Sequence, residues 1–316
     1  MLCVVIPALW TERSTQPRLD CPLPASYRGP EDTLKSMNIL HYTAFATIPS
    51  GGNPAGVIVP ADGLDLDDAR MQALAAELGY SESAFVTPRG DGSYGVRYFS
   101  PEAEVPFCGH ATIAAAVALA DLSTPGPLTF HTVVGEIAVV TEKGAGGMVA
   151  TLTSVETDVR EPEPGVRQRL LAALRLFEAD LDPALPLLVS FAGNWHPMVA
   201  VDSEDTLAGL DYDFAALQEL MAEQGWKGTV TVVHRAGDRL FDVRNPFPPG
   251  GVREDAATGS AAASLGGYLR HLGELALPAD VMIRQGHHMG RPSELAVHIP
   301  PIGGIGVSGA AVRLHA

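Results

Sequence analysis

Five landmarks occur twice in this 316-residue chain, in the same order and at nearly constant separation. Gly-Asn followed by an apolar strand opens at Gly52-Asn53 and again at Gly193-Asn194, an offset of 193 − 52 = 141. An amphipathic helix follows in each copy. The first is capped at Asp65, carries Met71, Leu74, Ala75 and Leu78, and stops at Gly79. The second starts near Asp213, carries Phe214, Leu217, Leu220 and Met221, and stops at Gly225. Aspartate supplies the cap, spacing of three and four gathers the apolar face, and glycine ends the helix. The two stops differ by 225 − 79 = 146.

Ser83–Thr87 and Thr229–Val233 are the next strands, and a further strand ends at Pro101 in one copy and Pro246 in the other. Each copy then places an acidic residue, a glycine turn and a run of small residues: Glu104 to Ala116 around Gly109, and Glu254 to Ala263 around Gly259, with 259 − 109 = 150. A chain so constrained folds as an α+β protein of two pseudo-symmetric halves, each a mostly antiparallel, barrel-like sheet round one central helix. Alanine-rich helices with little charge suit burial inside a sheet, because small side chains permit close approach. The halves are residues 37–150 and 151–302. Ala310–Leu314 forms a last strand that returns to the first half, which thereby also takes 303–316. Residues 1–36 lack periodicity and read either as a flexible extension or as sequence upstream of a true start at Met37.

Composition narrows the function. Lys plus Arg is 21 and Asp plus Glu is 37, a net charge of −16, which disfavours nucleic acid or an anionic membrane as partner. No apolar run reaches the roughly 20 residues that span a bilayer. Cys3, Cys21 and Cys108 include no CxxC pair, which fits a reducing cytoplasm and argues against a thiolate metal site. Gly304 to Gly309 matches GxGxxG, but seven residues cannot supply the helix and acidic residue of a dinucleotide site. His287-His288 has neither HExxH nor a third ligand nearby and reads as surface.

The two glycine turns lie at helix N-termini, where free amides and the helix dipole attract anions. If the halves face each other, both tips share one cleft, suited to a small carboxylate. The cleft is chemically unequal: at the helix-stop offset, Glu82 falls opposite Gly228. A lone glutamate in a cleft, its pKa raised by burial, can take and return a proton. Read alone, Glu82 equally suits a solvated helix exit. Cys108 and Thr258 each precede a glycine. Threonine is too weak an acid for a two-thiol racemase, and Cys108 alone reads as a packing residue.

Gly52-Asn53-Pro54, Ser81 to Val86, Glu104 to Thr112, Glu254 to Ala261 and Gln285 to Ser293 together resemble the PhzF-like isomerases of phenazine biosynthesis, whose fold is that of diaminopimelate epimerase. The resemblance runs from about residue 37 to the C-terminus. It implies a cofactor-independent isomerase moving a proton along a small cyclic carboxylate, typified by a dihydro-hydroxyanthranilate, with no metal. It implies Glu82 as acid/base, His110 and Asp255 as its partners in substrate positioning and proton transfer, Gly109, Gly259 and Ser260 as oxygen-binding groups beside Thr258, and Asn53 as a cleft residue. A homodimer is the family expectation. Two departures, Ala256 in place of a proline and Gly56 in place of a larger residue, predict a looser or wider site. Two other readings remain at this point: an epimerase or dehydratase using Cys108 with Thr258 opposite, and a non-catalytic carboxylate-binding relative.

Overall fold

A computed structural model describes residues 37–60 and 66–315. Eight strands close a ring in which each pairs with the next: Met37–Ala44, Asn53–Pro60, Glu82–Pro88, Tyr94–Phe99, Pro127–Thr132, Gly135–Gly144, Gly147–Thr153 and Gly306–Arg313, the last returning to Met37–Ala44. The final strand also pairs with Ser293–Ile299. From there the sheet runs on through Ala279–Gln285, Leu240–Arg244, Thr231–Gly237, Trp195–Val201, Leu188–Phe191 and Asp158–Arg160. Among the described residues no ladder joins Asp158–Arg160 back to Gly306–Arg313, so the second half curls without closing.

Both halves share one order of strand directions. Met37–Ala44 and Asn53–Pro60 are antiparallel, Asn53–Pro60 and Glu82–Pro88 parallel, Glu82–Pro88 and Tyr94–Phe99 antiparallel, and Tyr94–Phe99 and Pro127–Thr132 parallel. Leu188–Phe191 onward repeats that order through Trp195–Val201, Thr231–Gly237, Leu240–Arg244 and Ala279–Gln285. The α+β class with two alike, mostly antiparallel halves is therefore the architecture observed.

Gly109–Leu122 fills the closed ring, and every residue from His110 to Ala120 is buried. An eight-stranded barrel has an interior only about wide enough for its own side chains. A helix fits there because its surface is largely alanine. Gly259–Leu272 plays the same part in the second half, packing against Ser293–Ile299, Leu188–Phe191 and Trp195–Val201. Asp68–Leu78 and Phe214–Gln224 cover the outer faces, burying Met71, Leu74 and Ala75 in one case and Leu217, Leu220 and Met221 in the other. The first of these is capped by Asp67, whose side chain accepts from the Arg70 amide at 2.8 Å. Asp65, the cap expected from sequence, lies outside the described residues, as do 1–36. No helix of the described residues is long and apolar enough to cross a membrane.

Register corrects one pairing between the halves. Ala84 sits beside Val57 as Thr231 sits beside Met198, so the strand offset is 231 − 84 = 147. Glu82 therefore corresponds to Thr229, not Gly228. The loops between landmarks differ in length, and no single offset transfers.

Candidate active site

The two central helices meet tip to tip. A β-carbon added to Gly109 would lie 3.5 Å from Gly259 Cα and 3.8 Å from the amide nitrogens of Gly259 and Ser260. These glycines are the first residues of their helices rather than turn residues, and the preceding Cys108 and Thr258 are extended, with φ of −141° and −118°. Space alone does not demand glycine here, since 3.5 Å is an ordinary contact. A methyl group would instead cover the opposing amides. Gly109→Ala is thus expected to keep the fold and the melting temperature, as read by scanning calorimetry.

A cavity of about 90 Å³ opens onto the tips, bounded by Glu82, Phe107, Cys108, Gly109 and His110 from the first half and by Asn194, His196, Lys227, Thr229, Asp255, Thr258, Gly259 and Ser260 from the second. All the residues expected from sequence except Asn53 line it. Asn53, 4 % exposed, stands directly behind, its Nδ2 2.7 Å from Asp255 Oδ1, 3.2 Å from His110 Nδ1 and 3.2 Å from the Ala257 carbonyl. One amide thereby ties the first half to the second.

Glu82 starts its strand beside Ala55, and its Oε2 is 3.5 Å from His110 Nε2. Its side chain is 18 % exposed, open enough to meet a ligand. Burial raises its pKa above the ordinary 4.5, against hydrogen bonds from Ser81 and Cys108 that favour the charged form. His110 is pushed down by burial, with Asp255 opposing. The ring is accordingly neutral near pH 7, and its contact with Glu82 is a polar contact of a neutral imidazole, not an ion pair. Burial also raises Asp255, which His110, Thr258 and Asn53 pull back. Its carboxylate accepts from Thr258 Oγ1 at 2.7 Å, and Gln285 holds the turn through the Asp255 carbonyl at 2.8 Å and the Thr258 amide at 3.0 Å.

The turn at Ala256 is thus firmly held despite the missing proline. Nor does Gly56 widen the site: a β-carbon there would fall 2.7 Å from Ser83 Oγ and 2.9 Å from Leu78 Cδ1, so its space is already filled. Cys108 keeps its proton, since burial and the neighbouring Glu82 raise its pKa well above 9.0. With Thr258 engaged by Asp255, the Cys108–Thr258 pair is poorly equipped as an acid/base couple.

Sequence reasoning missed His196, Lys227, Asn194 and Thr229. Asn194 was within reach, being the repeat counterpart of Asn53. His196 is fully buried, with Nε2 3.0 Å from Ser260 Oγ and Nδ1 2.9 Å from the Thr229 carbonyl. Gly228 leaves room for it: a β-carbon there would lie 2.5 Å from His196 Cε1. Each half therefore keeps one neutral imidazole behind its helix tip. Burial depresses His196 from 6.5 to about 4. The unfolded chain then binds an extra proton between those values, so stability is present above pH 6.5 and lost as pH falls towards 4. Wild type is expected to lose about 3 kcal/mol more than His196→Gln between pH 7 and pH 4 in chemical denaturation, at 1.36 kcal/mol per pKa unit. Equal losses would contradict a buried neutral ring.

Arg291 faces away from the cleft chemistry. Its Nε donates to the Gly52 carbonyl at 2.7 Å and its Nη2 to the Gly51 carbonyl at 2.6 Å. His287 and His288 are exposed, in a short turn at His287–Met289. Gly304 to Gly309 leads into the closing strand: a β-carbon on Gly304 would strike the Ser154 carbonyl at 1.9 Å.

Comparison with known proteins adds a family. The sequence profile of the phenazine biosynthesis-like proteins, PhzC-PhzF, matches residues 42–315. An uncharacterized isomerase of Escherichia coli, YddE, is 34% identical over 286 residues, covering 87% of this chain and 96% of its own. The trans-2,3-dihydro-3-hydroxyanthranilate isomerase of Pseudomonas fluorescens is 35% identical over 264 residues, covering 81% and 88%. Among solved structures, the Bacillus anthracis phenazine biosynthesis protein of the PhzF family shares the fold with a TM-score of 0.79 at 23% identity, over 88% of this chain and 97% of that one.

Proposed function

The chain belongs to the phenazine biosynthesis-like (PhzC-PhzF) family and is an isomerase, and from that premise we propose that Glu82 moves a proton between two carbons of a small cyclic carboxylate. The observation that carries this reading is the placement of Glu82, its pKa raised by burial and its carboxyl not tied down by a hydroxyl and an amide as that of Asp255 is, in the same cavity as two abutting helix N-termini. The amides at the tips and the Ser260 hydroxyl hold the substrate carboxylate, and Lys227 at the mouth adds charge of the sign that draws an anion.

In its ionised form Glu82 takes a proton from the carbon next to the electron-withdrawing group. The electron pair enters the conjugated system, and the negative charge that develops on oxygen is stabilised by the tip amides. The protonated Glu82 returns its proton to the far carbon of the same system on the same face. Nothing else is consumed or released. His110, neutral and held by Asn53, fixes the direction of the Glu82 carboxyl and offers a polar contact to the substrate. Asp255, held by Asn53 and Thr258, positions the opposite edge.

Trans-2,3-dihydro-3-hydroxyanthranilate, the compound in the Pseudomonas relatives' name, is the substrate to test first. Incubated with the protein in heavy water, it is expected to gain deuterium at carbon as it isomerises. A bound compound that gains none would favour the non-catalytic reading.

A further inference from the structure

The repeat puts Thr229 where the first half has Glu82, and beside Thr229 on the adjoining strand stands His196. Met198 and Thr231 are register partners, and His196 and Thr229 each lie two residues before them. His196 is fully buried, and burial keeps its ring neutral at pH 7, so only one of its nitrogens carries a hydrogen. The neighbours fix which one. The Thr229 amide N–H donates to Nδ1 at 3.1 Å, and the Thr229 hydroxyl, also at 3.1 Å, can donate as well. The Thr229 carbonyl, 2.9 Å from the same nitrogen, competes for a proton there. Thr229 is 1% exposed, and among the described residues its amide has no other acceptor. An orphaned buried N–H is rarer than an under-satisfied carbonyl. The amide therefore prevails and Nδ1 is bare, which places the ring hydrogen on Nε2, 3.0 Å from Ser260 Oγ. His110 follows the same pattern in the first half. Asn53 Nδ2 donates to its Nδ1 at 3.2 Å, so Nε2–H faces Ser81 Oγ at 3.3 Å and Glu82 Oε2 at 3.5 Å.

We propose that His196 is a positioning residue: its Nε2–H donates to Ser260 and so presents the Ser260 hydroxyl to the cavity as a hydrogen-bond donor, which makes the site select a carboxylate over a neutral amide. A serine hydroxyl offers one hydrogen and two lone pairs. His196 occupies a lone pair, and Ser260 Oγ has no other partner among the described residues, so its hydrogen is left for a ligand. Ser260 is the second residue of Gly259–Leu272 and lines the cavity beside both helix tips. Its donor joins amide donors that serve the same space. A carboxylate only accepts and satisfies them all, whereas the nitrogen of an amide brings further hydrogens to a place already full of them. The opposite tautomer would reverse this, with Ser260 donating to the ring and meeting the cavity as an acceptor. The halves thus divide the work. The first half turns its ring hydrogen towards the proton carrier Glu82, and the second turns it towards the group that grips the ligand.

The selection rests on the proposed seat of a substrate carboxylate at the helix tips; the tautomer does not, and neither involves proton transfer by Glu82. Two measurements on the full chain separate them. In isotopically labelled wild type, nitrogen–proton correlation spectra should place the His196 hydrogen on Nε2. A hydrogen on Nδ1 would overturn the arrangement, and no variant has to fold for that reading. Benzoate and benzamide, alike in shape, are the ligand probes, followed by titration calorimetry at pH 7. Wild type should bind benzoate at least about tenfold more tightly than benzamide. Ser260→Ala should weaken benzoate about tenfold and benzamide little, and His196→Leu should weaken benzoate about fivefold. In the Ser260→Ala background, His196→Leu should change benzoate affinity by less than about twofold. An equal loss in both backgrounds would show that the ring does not act through Ser260 and would overturn the proposal. Equal binding of both probes by wild type, with Nε2 protonated, would overturn the selection and the carboxylate seat together while the bond from His196 to Ser260 stands.

Discussion

Glu82→Gln is expected to slow carbon-bound deuterium exchange into trans-2,3-dihydro-3-hydroxyanthranilate by about a thousandfold, within the range for loss of a general acid/base. Glutamine keeps the shape of the side chain and its polar contacts but can neither accept nor return a proton. Stability should not suffer. Burial raises the Glu82 pKa, which means that the folded state disfavours its charge, and a neutral amide removes that penalty at pH 7. The melting temperature of the variant should therefore equal or exceed that of wild type. The same shift predicts the pH profile. In the proposed mechanism the ionised form is the base, so kcat/KM is expected to fall as the solution is acidified, with a midpoint above the 4.5 of a solvated glutamate. Exchange by the glutamine variant at the wild-type rate would remove Glu82 from the chemistry.

Arg291→Met should have the largest effect on stability. The guanidinium, in the second half, donates to the carbonyls of Gly51 and Gly52 and lies 3.2 Å from Thr43 Oγ1, across more than 230 residues of sequence. Both glycines are buried, and Gly52 has φ of +69° with no room for a β-carbon, which would fall 2.3 Å from the Ala44 carbonyl. Losing the arginine strands the buried Gly52 carbonyl, while Gly51 keeps the bond from Thr43 Oγ1 at 2.6 Å, at a cost of about 2 kcal/mol, or roughly 4–8 °C in melting temperature. Asn53 follows these glycines directly, so substrate affinity should fall as well. Lysine restores the charge but not the planar fork and should recover less than half of the loss. A methionine variant melting with wild type would show that the turn holds without the clamp.

Much of this arrangement can be read from the letters because duplication writes it twice. Two Gly-Asn strands, two helix stops and two small-residue helices announce paired halves, and Glu82 stands out because its counterpart is not acidic. Where elements pack by contact rather than by pattern, the letters are silent. Spacing points to Asp65 as the cap of the first outer helix, but Asp67, two residues on, accepts from the Arg70 amide, a choice that the letters do not make. His196 sits in Trp195–Val201 among apolar neighbours, with no local sign that it meets a serine 64 residues on. Phe45 adopts φ of +63°, strained for a bulky side chain, and its ring would collide with any β-carbon on Gly309, 2.2 Å from Cδ1. Arg291 resembles any surface arginine until the Gly51–Gly52 turn folds back onto it. A proline replaced at Ala256 suggests slack, but Gln285 and Asn53 hold that turn through side-chain bonds.

The strand Gly306–Arg313 completes a ring that begins at Met37–Ala44. During synthesis the first barrel must wait, unsealed, until Gly306–Arg313 has left the ribosome, long after Gly147–Thr153. Its gap between Met37–Ala44 and Gly147–Thr153 exposes two unpaired edges throughout that interval, a hazard for misassociation between nascent chains. Gly306–Arg313 thus governs when the first half can become native, and deleting that strand should leave a chain that aggregates rather than a smaller active enzyme.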